Sequence, residues 1–143
     1  MISNSLRNDL VSDRTFRDFN LHLQYRLEPK GDSGIHLRGR YEIQATDLTE
    51  RVGNLGRTGS VYGYLPPASE AEKPAGEWNT LDVTLVGRWL TAELNGRLIQ
   101  DHVEMPGITG DALDAEEGKP GPIMLQGHLG RVAYRDVVLT PAR

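Results

Sequence analysis

The chain has 143 residues, with 16 Lys+Arg, 20 Asp+Glu, 4 His and no Cys, and a formal net charge of −4. The lack of cysteine excludes thiolate chemistry, disulfides and Cys-ligated zinc, and the mild acidity argues against binding nucleic acid through a basic field. No apolar run reaches the ~20 residues of a membrane span; 16 Gly and 8 Pro predict frequent turns and few long helices.

Met1 to Leu10 is polar and lacks the apolar core of a secretory leader. The first strand signal is Asn20–Leu27, where Leu21, Leu23, Tyr25 and Leu27 alternate with His22, Gln24 and Arg26. Ile35–Gln44 alternates again and is expected to be one strand. Val61–Leu65 reads as a short strand between Gly59 and Pro66-Pro67, and Leu81–Val86 alternates cleanly. Trp89–Val103 contains Asn95-Gly96, the pair that best supplies the two positive-φ positions of a type I′ turn, so it predicts a β-hairpin. Glu104–Pro122 reads as a long surface loop with room for one helical turn at Ala112–Glu116. Ile123–Gln126 and Val132–Leu139 close the chain as strands. With no repeat or linker, the expectation is a single domain over residues 1–143: an all-β, antiparallel β-sandwich.

Alternation places His36, Arg38, Arg40, Glu42 and Gln44 on one face of the 35–44 strand, a row about 27 Å long at ~3.3 Å per residue. Ile35, Leu37, Gly39, Tyr41 and Ile43 take the other face, and Gly39 relieves crowding or marks a bulge. The polar row is either an ordinary solvated face or a ligand face, since guanidinium forks and amides suit directional hydrogen bonding to hydroxyls and carbonyls. Tyr62 and Tyr64 lie two residues apart on one side of their strand, as core or as ligand contacts. Trp78 is a core anchor or a sugar-stacking platform. Gln126 and His128 share a face with Met124, an apolar residue out of place there. The four His show no metal-ligand spacing, and the acidic run Asp111, Asp114, Glu116, Glu117 reads as a solvated loop.

Ser33–Gln44, SGIHLRGRYEIQ, resembles the signature of the 3-keto-disaccharide hydrolase domain family. The similarity continues through TFRDFNLHLQYRL before it, and GSVYGYLPP, KPAGEWNTLDVTLVGRWLTAELNGRLIQD and GPIMLQGHLGRVAYRDVVLTP after it, from about Asp9 to Pro141. Relatives begin with further N-terminal strands, short or missing here, and many carry an Asp where this chain has Gly127. An exposed sheet edge is expected to be covered either by Met1–Ser12 or by another chain in a homo-oligomer.

The resemblance implies a concanavalin A-like, laminin G-like jelly roll and a hydrolase acting on glycosides oxidised at C3. It is compatible with a periplasmic or secreted location. The C3 ketone acidifies the C2 proton, so C2 deprotonation, elimination of the aglycone and hydration make a chemical route. From residue chemistry, Glu42 is the candidate general base or acid, and Arg40, His128 and Tyr62 are the other catalytic candidates. Arg38 joins Arg40 as a clamp, while His36, Gln44, Tyr64, Trp78 and Gln126 are candidate substrate contacts. No organic cofactor is expected; a divalent metal would polarise the ketone, but the sequence selects no ligand set. The alternatives are a non-catalytic carbohydrate-binding module of the same jelly-roll type, or an interaction domain whose Arg-rich strand meets acidic partners.

Overall fold

The computed structural model describes residues 2–3 (as backbone), 9–48, 53–127 and 130–142. Ten strands lie among them: β1 Ile2–Ser3, β2 Leu10–Val11, β3 Phe19–Leu27, β4 Asp32–Leu37, β5 Tyr41–Thr46, β6 Asn79–Val86, β7 Trp89–Leu94, β8 Arg97–Glu104, β9 Met124–Leu125 and β10 Val132–Pro141. They form two antiparallel sheets, a six-stranded one in the order β1-β10-β3-β6-β7-β8 and a four-stranded one in the order β2-β9-β4-β5. The β-sandwich expected from the alternation is the fold observed. No helix occurs among the described residues, and residues 112–116 form bends rather than a helical turn.

The core lies between the sheets. Leu21, Leu23 and Tyr25 of β3, Leu81, Val83 and Leu85 of β6, and Leu90, Ala92 and Leu94 of β7 face Ile35 and Leu37 of β4 and Tyr41 and Ile43 of β5, all buried. A fully buried aliphatic side chain contributes about 1.5–3 kcal/mol, so the strict period of two fixes which face of each strand turns inward. Ser33 Oγ donates to Gln126 O at 2.6 Å. Its single proton is then engaged, and the Tyr134 hydroxyl, 2.6 Å away, donates to it. Burial pushes the Tyr25 and Tyr134 phenols well above their ordinary pKa, so both stay neutral donors.

Three local expectations are corrected. Residues 35–44 are a hairpin rather than one strand, with Leu37 opposite Tyr41, His36 opposite Glu42 and Ile35 opposite Ile43. The chain reverses at Arg38-Gly39, with φ of 54° and 66°, and Arg40 N–H donates to Leu37 O at 3.0 Å across the turn. Because the loop is three residues long, odd-numbered residues still face odd-numbered ones. The inward set is therefore as alternation placed it, although the strand reading was wrong. Val61–Leu65 is likewise a tight turn: Val61 bridges both Ile43 and Leu65, and Gly63 between them has φ of 80°. Finally, the acidic loop is engaged, with Asp114 on Arg40 and Glu117 accepting from the Tyr41 hydroxyl at 2.8 Å. Burial, then that bond, raises the Tyr41 phenol to about 12.

The N-terminal segment closes one edge of each sheet. Ile2–Ser3 pairs with β10 and Leu10–Val11 with β9.

Candidate functional site

The outer face of the four-stranded sheet carries Gly34 and His36 from β4, Glu42 and Gln44 from β5, and Met124 from β9. Met124 pairs with His36, so an apolar residue does share the polar face. Two segments without regular structure border this face along the free edge of β5. Residues 58–62 run along β5, where Gln44 N–H donates to Ser60 O at 3.1 Å and Tyr62 N–H donates to Glu42 O at 3.1 Å. The 105–122 loop is fastened by Thr109, whose Oγ1 accepts from Glu42 N–H at 2.9 Å and donates to Arg40 O at 3.2 Å.

Between these segments lies a polar cleft of about 180 Å³ lined by Asp32, Glu42, Gln44, Tyr62, Gly110, Asp111 and Gln126. It is smaller than the ~300–1,000 Å³ of pockets for drug-sized ligands, on the scale of one sugar ring. The Glu42 carboxylate lies where a Gly34 side chain would be, since a Cβ on Gly34 would collide with Oε2. Gln44 Nε2 donates to Asp32 Oδ1 at 3.0 Å, and Gln126 Nε2 reaches Asp111 Oδ2 at 3.5 Å. Gln126 is set in place by its backbone: its N–H donates to Gly34 O at 2.9 Å. Tyr62 is 40% exposed at the rim.

Four of the candidates named from the sequence, Glu42, Gln44, Tyr62 and Gln126, thus converge. The others stand elsewhere. The expectation that Arg38, Arg40 and Glu42 line one groove is corrected by the hairpin, which carries both arginines to its tip. There Arg38 donates to Arg17 O, to Gly87 O at 2.7 Å and to Asp18 Oδ1 at 3.2 Å. Arg40 donates to Asp114 Oδ1 at 2.6 Å and Lys119 O at 2.6 Å. Both forks tie loops to the sandwich. His36 is 0% exposed, so a sugar does not reach its ring. Tyr64 does not line the cleft; its hydroxyl donates to Ile108 O at 2.9 Å. Trp78 is half-buried against the other sheet, with the Arg135 guanidinium 3.9 Å and that of Arg26 4.9 Å from its ring centroid. It is neither a core anchor nor part of this cleft. His128 lies outside the described residues.

Asp32 and Asp111 were missed. Asp32 was legible, because it extends the even-numbered row that holds Gly34 and His36 by one further step. Asp111 comes from a loop whose path depends on tertiary contacts, and nothing local to it marks the cleft. The carboxylates also test whether a metal fits. Among the described residues no group of three or more His, Asp or Glu converges closely enough to hold an ion.

The family profile described as a 3-keto-alpha-glucoside-1,2-lyase-like domain matches residues 2–140. Among solved structures, a "putative glycosyl hydrolase" from Parabacteroides distasonis is 26% identical, with a TM-score of 0.82 over 94% of this chain and 68% of its own. A second from that organism, 18% identical with a TM-score of 0.80, covers 97% of this chain and 76% of its own, which shows the fold. The carbohydrate-binding module CBM66 from Bacillus subtilis shares the fold at 11% identity, with a TM-score of 0.58 over 95% of this chain and 83% of its own. No curated protein matches the sequence.

Proposed function

The chain belongs to the 3-keto-alpha-glucoside-1,2-lyase-like family, and from that premise we propose that it cleaves 3-keto-glycosides with Glu42 as the base. The observation that carries the reading is the placement of Glu42. Its carboxylate is nearly enclosed by protein yet opens on a cleft whose other groups are neutral donors and acceptors or carboxylates. A C3 ketone makes the C2 proton acidic. Glu42 takes that proton, the C2 electron pair passes into the C1–C2 double bond, and the C1–O bond breaks. The aglycone leaves as an alcohol once its oxygen has been protonated, for which the Tyr62 hydroxyl at the rim is the candidate donor. Water then adds at C1 and a proton returns to C2, so that the net change is hydrolysis. The enolate oxygen needs hydrogen-bond donors. The amides of Gln44 and Gln126 line the cleft, whereas the two arginines first considered for this task are engaged with backbone carbonyls.

The matching family's 1,2-lyase description supports elimination across C1 and C2. The paired-carboxylate mechanism of ordinary glycosidases, which leaves C2 untouched, gives no reason for a ketone requirement. The test compares 3-keto-glucosides with their parent glucosides. Only the ketones are expected to be cleaved, and Glu42→Gln, which keeps shape and hydrogen bonding but removes the base, should slow turnover by ~10²-fold or more while the substrate still binds.

A carbohydrate-binding module is the second reading, favoured by the fold shared with the Bacillus subtilis module and by the absence of a free guanidinium among the cleft-lining groups. It prevails if ketone and parent sugars bind alike and neither is cleaved.

A further inference from the structure

His36 is buried where the sugar does not reach, yet it stands beside the proposed base. It lies directly across from Glu42 in the β4–β5 register, with Met124 on its other side. Its Nε2 is 3.3 Å from Glu42 Oε2, and neither ring nitrogen makes an aligned hydrogen bond among the described residues. A polar group buried without a partner costs about 1–3 kcal/mol, which a leucine in the same place would not incur. The ring is thus a costly choice for packing alone.

The position of its proton follows from the surroundings. A neutral imidazole has one N–H and one bare nitrogen. With the proton on Nδ1, a buried donor would be orphaned and the Nε2 lone pair would face a carboxylate oxygen. With the proton on Nε2, the carboxylate is its nearest acceptor, 3.3 Å from the nitrogen and within reach of a small ring rotation, and Nδ1 is left as a bare acceptor, the less costly of the two to leave unmet.

We propose that His36 is a positioning residue for Glu42, its Nε2–H holding the carboxylate toward the cleft. The proposal rests on Glu42 being the base. Glu42 is then fixed from several sides: His36 beside Oε2, the space left by Gly34, and Thr109 on its backbone N–H. Other titratable groups face the carboxylate from the elements packed around it. These are Asp32 on β4, Tyr62 after β5 and Asp111 on the 105–122 loop, with Tyr134 of β10 in electrostatic reach through the sheet.

The test uses the full chain and a 3-keto-glucoside. His36→Leu should lower kcat about 10–100-fold with KM little changed. His36→Gln, whose side-chain N–H reaches the same place, should recover most of the rate. Nitrogen-15 NMR of the wild type should show His36 protonated on Nε2; protonation on Nδ1 overturns the proposal, even if His36→Leu fails to fold. Wild-type kcat in His36→Leu, with Glu42→Gln slow, overturns this proposal alone. Loss of rate in both His36 variants in proportion to lost stability assigns the ring to structure and also overturns it. Glu42→Gln at the wild-type rate removes the base assignment, and this proposal with it.

Discussion

The β7–β8 and β4–β5 hairpins turn on the same backbone conformation, reached by opposite means. Asn95-Gly96 has φ of 53° and 79°, and Arg38-Gly39 has 54° and 66°. At the first turn, residue type and geometry agree. Asn tolerates the left-handed region on its own; the bonds its side chain accepts from Thr80 N–H at 2.8 Å and donates to Ala71 O at 2.8 Å are tertiary additions to that preference. At the second, an arginine occupies a region that costs most L-residues about 1–2 kcal/mol. What offsets that cost is remote in sequence: the carbonyls of Arg17 and Gly87 and the carboxylate of Asp18. Burial holds the Arg38 guanidinium below its ordinary pKa, but it remains a cation at neutral pH. A turn made by local chemistry can be read from two letters. A turn made by tertiary hydrogen bonds looks, in the sequence, like the strand it interrupts.

The largest effect is expected from removing the fork. Arg38→Ala removes a buried side chain and three hydrogen bonds from its cation and should cost ~3 kcal/mol in chemical denaturation, against ~1 kcal/mol for Asn95→Ala, which loses neutral hydrogen bonds. Arg38→Asn sharpens the contrast: if intrinsic preference governed this turn it would stabilise, whereas here it should be nearly as damaging as alanine. A stabilised Arg38→Asn would collapse the distinction between the hairpins.

The glycines give the next measure. A Cβ on Gly96 meets open space, while one on Gly39 comes 2.7 Å from Leu113 Cδ1. Gly96→Ala should then cost only its left-handed backbone penalty of ~1 kcal/mol, and Gly39→Ala ~2 kcal/mol. Equal shifts in the denaturation midpoint would show that the 105–122 loop does not bear on the turn.

The smallest effect concerns pH. The hydrogen bond from Arg40 holds the Asp114 carboxyl below its ordinary value of 3.8. A depressed folded pKa contributes stability above the unfolded value, and that contribution is lost as pH falls through the folded one. Asp114→Asn should remove that contribution, lowering stability slightly at neutral pH and leaving it unchanged well below the folded value, so that the acid limb below pH ~4 flattens. The pair is partly exposed, so salt should weaken the dependence. An unchanged acid limb would mean that this bond does not hold the loop.

Much of the fold was written in the sequence because a sheet repeats every two residues. The alternation in β3, β6 and β7 identified the inward-facing residues, and the family resemblance and the Asn95-Gly96 turn were equally plain. The same parity kept Ile35, Leu37, Tyr41 and Ile43 in the core although the strand was really a hairpin, because a three-residue loop preserves it. It also put Glu42 and Gln44 on one face, and the fold brings Gln126 to the same cleft. What parity could not show is distance along the face. Folding residues 35–44 back at Arg38-Gly39 set His36 beside Glu42 and sent both arginines to the tip. Nor could it show where the 58–62 and 105–122 segments meet the edge of β5, since their paths are set by hydrogen bonds such as Glu42 N–H to Thr109 Oγ1 and Arg40 to Asp114. Periodicity alone determined the sandwich and its core, because side-chain facing is a local property. The cleft was decided by the tertiary structure, because it exists only where segments distant in sequence meet.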